Sequence, residues 1–173
     1  VGAVVTDDAY SIKSVGWNDV AKGQVPCNLR SLEDLENFSS DTTYSEYERN
    51  DENFRKFASN ELIKIKHLGE KGRNLAYCFK SIQNKVDKEK NQVHTRSLHA
   101  EENAFLQLAK YGGVGIEGGK LFTTASPCEL CAKKAYQLGI KEIIFIDPYP
   151  GLAIQHIISI GINPPKLIQF RGA

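Results

Sequence analysis

Methionine is absent from all 173 residues, tryptophan occurs once, and the four cysteines are scattered at Cys27, Cys78, Cys128 and Cys131. Without an initiator residue, and opening on VGAVV as if inside a β-strand, the chain reads as a piece of a longer protein. Cysteine this sparse excludes a disulfide scaffold and fits a reducing, cytoplasmic setting or a metal site. No run of about 18 apolar residues is present, and the start lacks a basic flank, so neither a transmembrane helix nor a secretory signal is expected. A predominance of one charge is also missing. Against 22 Lys or Arg stand 21 Asp or Glu, a formal net charge of +1 with no long block of either sign. Such a balance withholds the attraction that a polynucleotide-binding surface advertises.

What is present suits one compact domain: 41% of residues are hydrophobic and 25% charged, and a chain of this length buries about two-thirds of its unfolded surface. Two β-rich runs, near residues 1–6 and 10–16, flank an Asp-Asp-Ala turn and predict a hairpin. Residues 28–94 differ in kind. They have few β-branched runs, helical spacing at Leu62, Ile63 and Ile65, and charged stretches such as EYERNDEN and KVDKEKN. Twelve basic and twelve acidic residues balance there, which predicts a neutral insert of two or three helices. With no metal-ligand or nucleophile pattern, it reads as a cap or assembly surface.

From residue 99 the pattern becomes regular: helix (HAEENAFLQLAKY), Gly-rich loop, strand (KLFTTA), helix (PCELCAKKAYQLG), strand (KEIIFI), helix at about 151–161, strand (KLIQF). This alternation predicts an α/β sandwich with right-handed crossovers. The helix between KEIIFI and KLIQF makes those two strands parallel.

Chemistry concentrates at two helix starts. Cys128 and Cys131 form a C-x-x-C behind Pro127, a spacing that lets both sulfurs meet one ion from a first helical turn, where proline is tolerated. A helix N-terminus also stabilises thiolate, the metal-binding form. His99 stands before its own helix, two residues ahead of Glu101. Three His and Cys ligands leave tetrahedral zinc one open position, as catalytic rather than structural sites do. Glu101 is then placed to move protons.

H-x-E followed by P-C-x-x-C is the signature of zinc deaminases. HAE with PCELC resembles the cytidine and deoxycytidylate deaminase superfamily, over residues 1–26 and about 97–170. The resemblance implies a three-layer α/β/α deaminase sandwich with a mixed five-stranded sheet, carrying the 28–94 insert within a single domain over 1–173. It further implies zinc on His99, Cys128 and Cys131, with Glu101 as the proton shuttle. A parallel final strand is similar to the branch holding deoxycytidylate, tRNA-adenosine and polynucleotide cytidine deaminases. VGAVV followed by GWND resembles the opening of the deoxycytidylate enzymes, with Trp17 in place of a tyrosine and Asn18 where an asparagine meets the sugar. Cys27 after Val25 and Pro26 lacks the preceding histidine of a second zinc site, and no second metal is expected.

Three further assignments carry competing readings. Asn18 is a sugar contact or an ordinary turn residue. Tyr149 in DPYPG follows a strand at the edge where open α/β sheets bind ligands, and either stacks on a base or covers the core. Ser126 contacts the pyrimidine or merely precedes Pro127. Lys22 and Arg30 read as solvated charges, although phosphate pairing is open to them; Cys78, His67, His94 and His156 read as ordinary. The favoured expectation is hydrolytic deamination of a free deoxycytidine nucleotide by a homo-oligomer without membrane attachment, in nucleotide metabolism. Its rivals are a deaminase acting on bases in tRNA, RNA or single-stranded DNA, and a nucleotide-binding regulatory module without turnover.

Overall fold

A computed structural model describes residues 1–69, 74–90, 95–113 and 115–172; His94 lies outside them. In chain order the strands are β1 (Gly2–Thr6), β2 (Ile12–Trp17), β3 (Asp19–Val20), β4 (Ser97–Leu98), β5 (Lys120–Ala125), β6 (Glu142–Asp147) and β7 (Lys166–Gln169). The α-helices are α1 (Leu32–Asn37), α2 (Glu46–Asn50), α3 (Glu52–Ile65), α4 (Lys80–Asp87), α5 (Ala100–Lys110) and α6 (Glu129–Gln137). The chain divides into two compact units, Val1–Asp19 with Leu98–Ala173, and Val20–Ser97.

The first unit is built on a mixed sheet of order β2-β1-β5-β6-β7. β1 runs antiparallel to β2 and β5, whereas β5, β6 and β7 are parallel, as the crossover helices require. Alternate residues Ala3, Val5, Leu121 and Ile143 face a core shared with Ala100, Ala104 and Phe105 of α5 and Ala132 and Ala135 of α6. Small residues on both helices let their backbones lie close to the strands. The opposite face carries a row in register, Val15, Val4, Phe122, Ile144 and Ile168. The described residues of this unit supply helix to the first face alone, because α5, α6 and the turn at 154–158 all share its core.

Helix ends are set locally. Glu101 and Glu102 open α5 and Lys110 closes it, in accord with the helix dipole. α6 ends in a Schellman pair, Gly139 N–H to Tyr136 O and Ile140 N–H to Ala135 O, which needs Gly139 at φ 71°. The helix expected at about 151–161 shortens to a π-helical turn, Ile154–Ile158, closed by Ser159 N–H to Ile154 O at 2.9 Å. Pro150 and Gly151 occupy its approach, and the Leu152 N–H is spent on a Glu129 carboxylate oxygen at 2.7 Å.

The described residues of the second unit form four α-helices, one more than the upper expectation. Ser31, Ser45 and Asp51 cap three of them, Ser45 in a full capping box with Glu48. Its own core joins Leu32, Leu35, Tyr44, Phe54, Ala58, Phe79 and Ile82. Two expectations change here. Ile63 is 74% exposed while Leu62 and Ile65 pack on the core. Arg30 is 2% exposed rather than solvated, its Nη2 donating to Glu48 Oε1 at 2.6 Å and its guanidinium lying 4.2 Å from the Phe79 ring centre. Ion pairing and an aromatic face compensate a charge that composition alone assigns to the surface. Lys22 is exposed, as expected.

Candidate active site

The starts of α5 and α6 bring three donor side chains together. His99 is the N-cap of α5 and Cys128 the N-cap of α6, and neither spends its side chain on capping. His99 Nδ1 lies 3.3 Å from Cys128 Sγ and 3.5 Å from Cys131 Sγ, and the three donor atoms all fall within 4.8 Å of one another. Donors on a tetrahedral zinc, bound at ~2.0–2.3 Å, stand about 3.5–3.8 Å apart, so the two His99 contacts match the ion's size to within a few tenths of an ångström. Two sulfurs and an imidazole are also the donor chemistry zinc favours. Pro127 precedes the N-cap instead of filling the first turn, and so fixes the entry angle of the chain.

The thiols and imidazole hold one another's protons. Cys128 is pushed down to about 4, first by its hydrogen bond with Cys131 and then by one with His99. Cys131 is pushed up by the same Cys128 bond and by burial. His99 is raised, chiefly by Cys128. Glu101, second residue of α5 and 4% exposed, has its carboxyl raised mainly by burial.

α5 reaches this position because β2 carries Gly16 where the helix crosses it. A methyl carbon there would stand 2.1 Å from Ala100 O and 2.4 Å from Ala104 N. Asn103 Nδ2 donates to Trp17 O at 3.1 Å beside that crossing, and Glu102 pairs with Lys134 to tie α5 to α6. The sequence reading passed over Gly16, although an isolated glycine inside a strand signals a close backbone approach.

The expected substrate residues are spread along one rim and the strand end. Asn18 is exposed in the bend after β2. Ser126 is buried, its N–H donating to Asp147 O at 2.8 Å and its hydroxyl accepting Tyr149 N–H at 2.7 Å. Ser126 thus anchors the loop after β6 and keeps only its hydroxyl proton and carbonyl for other partners. Tyr149 is 39% exposed on that loop. Glu129, inside P-C-E-L-C, holds the loop's far end through Leu152 N–H. That residue was also missed, since a carboxylate in a first turn reads as a dipole partner.

The family model for the cytidine and deoxycytidylate deaminase zinc-binding region matches residues 1–147. The chain belongs to this family. It is 41% identical over 54 residues to ComE operon protein 2 of Bacillus subtilis (strain 168), a stretch covering 31% of this chain and 28% of that protein. It is 44% identical over 52 residues to the deoxycytidylate deaminase of Enterobacteria phage T2, covering 30% of this chain and 27% of that one. The chain thus spans little more than a quarter of the length of these curated relatives. The dCMP deaminase from the cyanophage S-TIM5, solved in complex with dCMP and dUMP, superimposes with a TM-score of 0.53 at 20% identity, over 98% of this chain and 79% of that one. At that identity the likeness is one of fold. Among the described residues no helix is long and apolar enough to cross a membrane.

Proposed function

We propose that this chain catalyses zinc-dependent hydrolytic deamination of a free deoxycytidine nucleotide, yielding the uridine nucleotide and ammonia. The observation that carries the reading is the meeting of His99, Cys128 and Cys131 beside a buried Glu101. His99, Cys128 and Cys131 would hold the metal, and bound zinc supplies the Lewis acidity that makes water a nucleophile near neutral pH. Glu101 takes the proton from the attacking water and delivers it to the ring nitrogen, then carries a proton to the departing amino group. A C4–O bond forms, the C4–N bond breaks, and ammonia leaves. Burial keeps Glu101 out of bulk solvent, so the proton passes to the base and not to water.

Asn18 is assigned to the sugar, Ser126 to the pyrimidine edge and Tyr149 to the base or the pocket mouth. The names of the phage relative and of the fold neighbour support a nucleotide monophosphate substrate. The near-neutral charge supports a small ligand over a polynucleotide. Cysteines without disulfides support a cytoplasmic setting, and the family resemblance supports a homo-oligomer.

Ammonia release from cytosine and adenine nucleosides, nucleotides and oligonucleotides tests this reading. Turnover should be faster on a deoxycytidine mono- or triphosphate than on the nucleoside, because phosphate contacts supply positioning energy. Asn18→Ala should slow it with zinc retained. Activity confined to oligonucleotides, with binding that weakens steeply as salt rises, would replace the substrate with a polynucleotide. No ammonia from any substrate by the zinc-loaded protein would leave the regulatory module.

A further inference from the structure

The second unit contains a cavity of about 260 Å³ whose lining includes none of the residues assigned to deamination. Its wall includes Arg30 and Arg96 around the Glu48 carboxylate, with Phe79 and Ser45 beside them. Glu48 is shared between the two arginines, Oε1 accepting from Arg30 Nη2 at 2.6 Å and Oε2 from Arg96 Nη2 at 2.5 Å. It also accepts the Ser45 N–H at 2.8 Å. One carboxylate therefore serves two guanidinium groups.

Arg30 is the telling residue. Its side chain is 1% exposed, its Cζ lies over the Phe79 ring at 4.2 Å from the centroid, and its Nε is buried without a hydrogen-bond partner. A buried N–H left without an acceptor is costly and rare in native proteins. Guanidinium groups present planar, fixed donors that suit the oxygens of a phosphate. The cavity is at the small end of ligand pockets, which run to about 300–1,000 Å³ for drug-sized molecules. That size favours a compact anion.

We infer that this cavity is a binding site for a phosphate dianion, either free or as the end of a small phosphate monoester, held by Arg30 and Arg96. The site belongs wholly to the second unit and is independent of the deaminase reading. Ser45 and Gln83 line it and permit changes of opposite sign. Ser45→Asp keeps the cap on α2, since Asp and Ser are equal N-caps, and adds a negative charge to the wall. Gln83→Lys adds a positive one and keeps a partner for Asp87, which Gln83 Nε2 now contacts at 2.8 Å.

The test is calorimetric titration of the zinc-loaded full chain with inorganic phosphate and with glycerol 3-phosphate, at constant ionic strength set with chloride. Saturable binding is expected, weakened about tenfold in Ser45→Asp and tightened in Gln83→Lys, the scale of one charge-assisted hydrogen bond. Tighter binding of the ester identifies an organic phosphate as the occupant, and equal or tighter binding of inorganic phosphate identifies the free ion. Absence of saturable binding, or binding that neither variant alters, overturns the inference.

Discussion

Replacing Gly16 by alanine tests how the first unit positions its donors. The added methyl carbon would meet Ala100 O at 2.1 Å and Ala104 N at 2.4 Å, both backbone atoms that no rotamer change can move aside. Ordinary C···O contacts begin at about 3.3 Å, so α5 must shift from β2 by roughly 1 Å at its first turn. His99 and Glu101 ride on that turn. A displacement of about 1 Å at reacting groups can cost about a hundredfold in rate, and overpacking destabilises by about 1–3 kcal/mol. For a chain of this size that is a melting shift of about 2–4 °C per kcal/mol. Zinc affinity should fall about 10–100-fold, as when a group orienting a ligand is lost. The assays are zinc competition against a chromophoric chelator, thermal melting and ammonia release. Gly2→Ala is the control on the neighbouring strand, because its methyl carbon meets nothing nearer than Thr124 Cγ2 at 4.0 Å. If Gly16→Ala matches Gly2→Ala in all three assays, the close packing of α5 on β2 does not govern the site.

Cys128→Ala or Cys131→Ala should abolish stoichiometric zinc in elemental analysis and lower the melting temperature together, because metal-binding energy is partly folding energy; chelator treatment of the parent should reproduce that destabilisation. Glu101→Gln should retain one zinc and the parent fold while turnover drops at least about a hundredfold, the scale of one proton-transfer group; near-parent turnover would assign proton transfer elsewhere. Glu129→Ala should free the loop at 148–152 from α6 and raise KM more than it lowers kcat, whereas Glu129→Gln, which keeps an acceptor for the Leu152 N–H, should stay close to the parent. Equal behaviour of the two Glu129 variants in steady-state kinetics would remove the loop anchor from the account.

Local signals made much of this protein legible from its sequence. The C-x-x-C and the His-x-Glu each lie within one helical turn, where spacing alone fixes which side chains share a face. The hairpin and the parallel order of the last two strands were legible for the same reason, since alternation and connection length are properties of contiguous chain. What the sequence did not disclose depends on partners distant along it. The meeting of His99 with Cys128 and Cys131 was legible only through the combined H-x-E and P-C-x-x-C signature, because the two helix starts lie 29 residues apart; how near α5 comes to the sheet is decided by Gly16, which spacing did not show. Ser126 reads from the sequence only as a hydroxyl for a base; packing adds that this hydroxyl also accepts the Tyr149 N–H. Arg30 looked like surface charge because its compensation comes from Glu48, 18 residues on, and from the Phe79 ring. Covalent neighbours determine spacing and therefore the chemistry a turn can present; only close packing determines which donors meet, and which charges are buried, because those outcomes depend on distances between segments that the linear order leaves free.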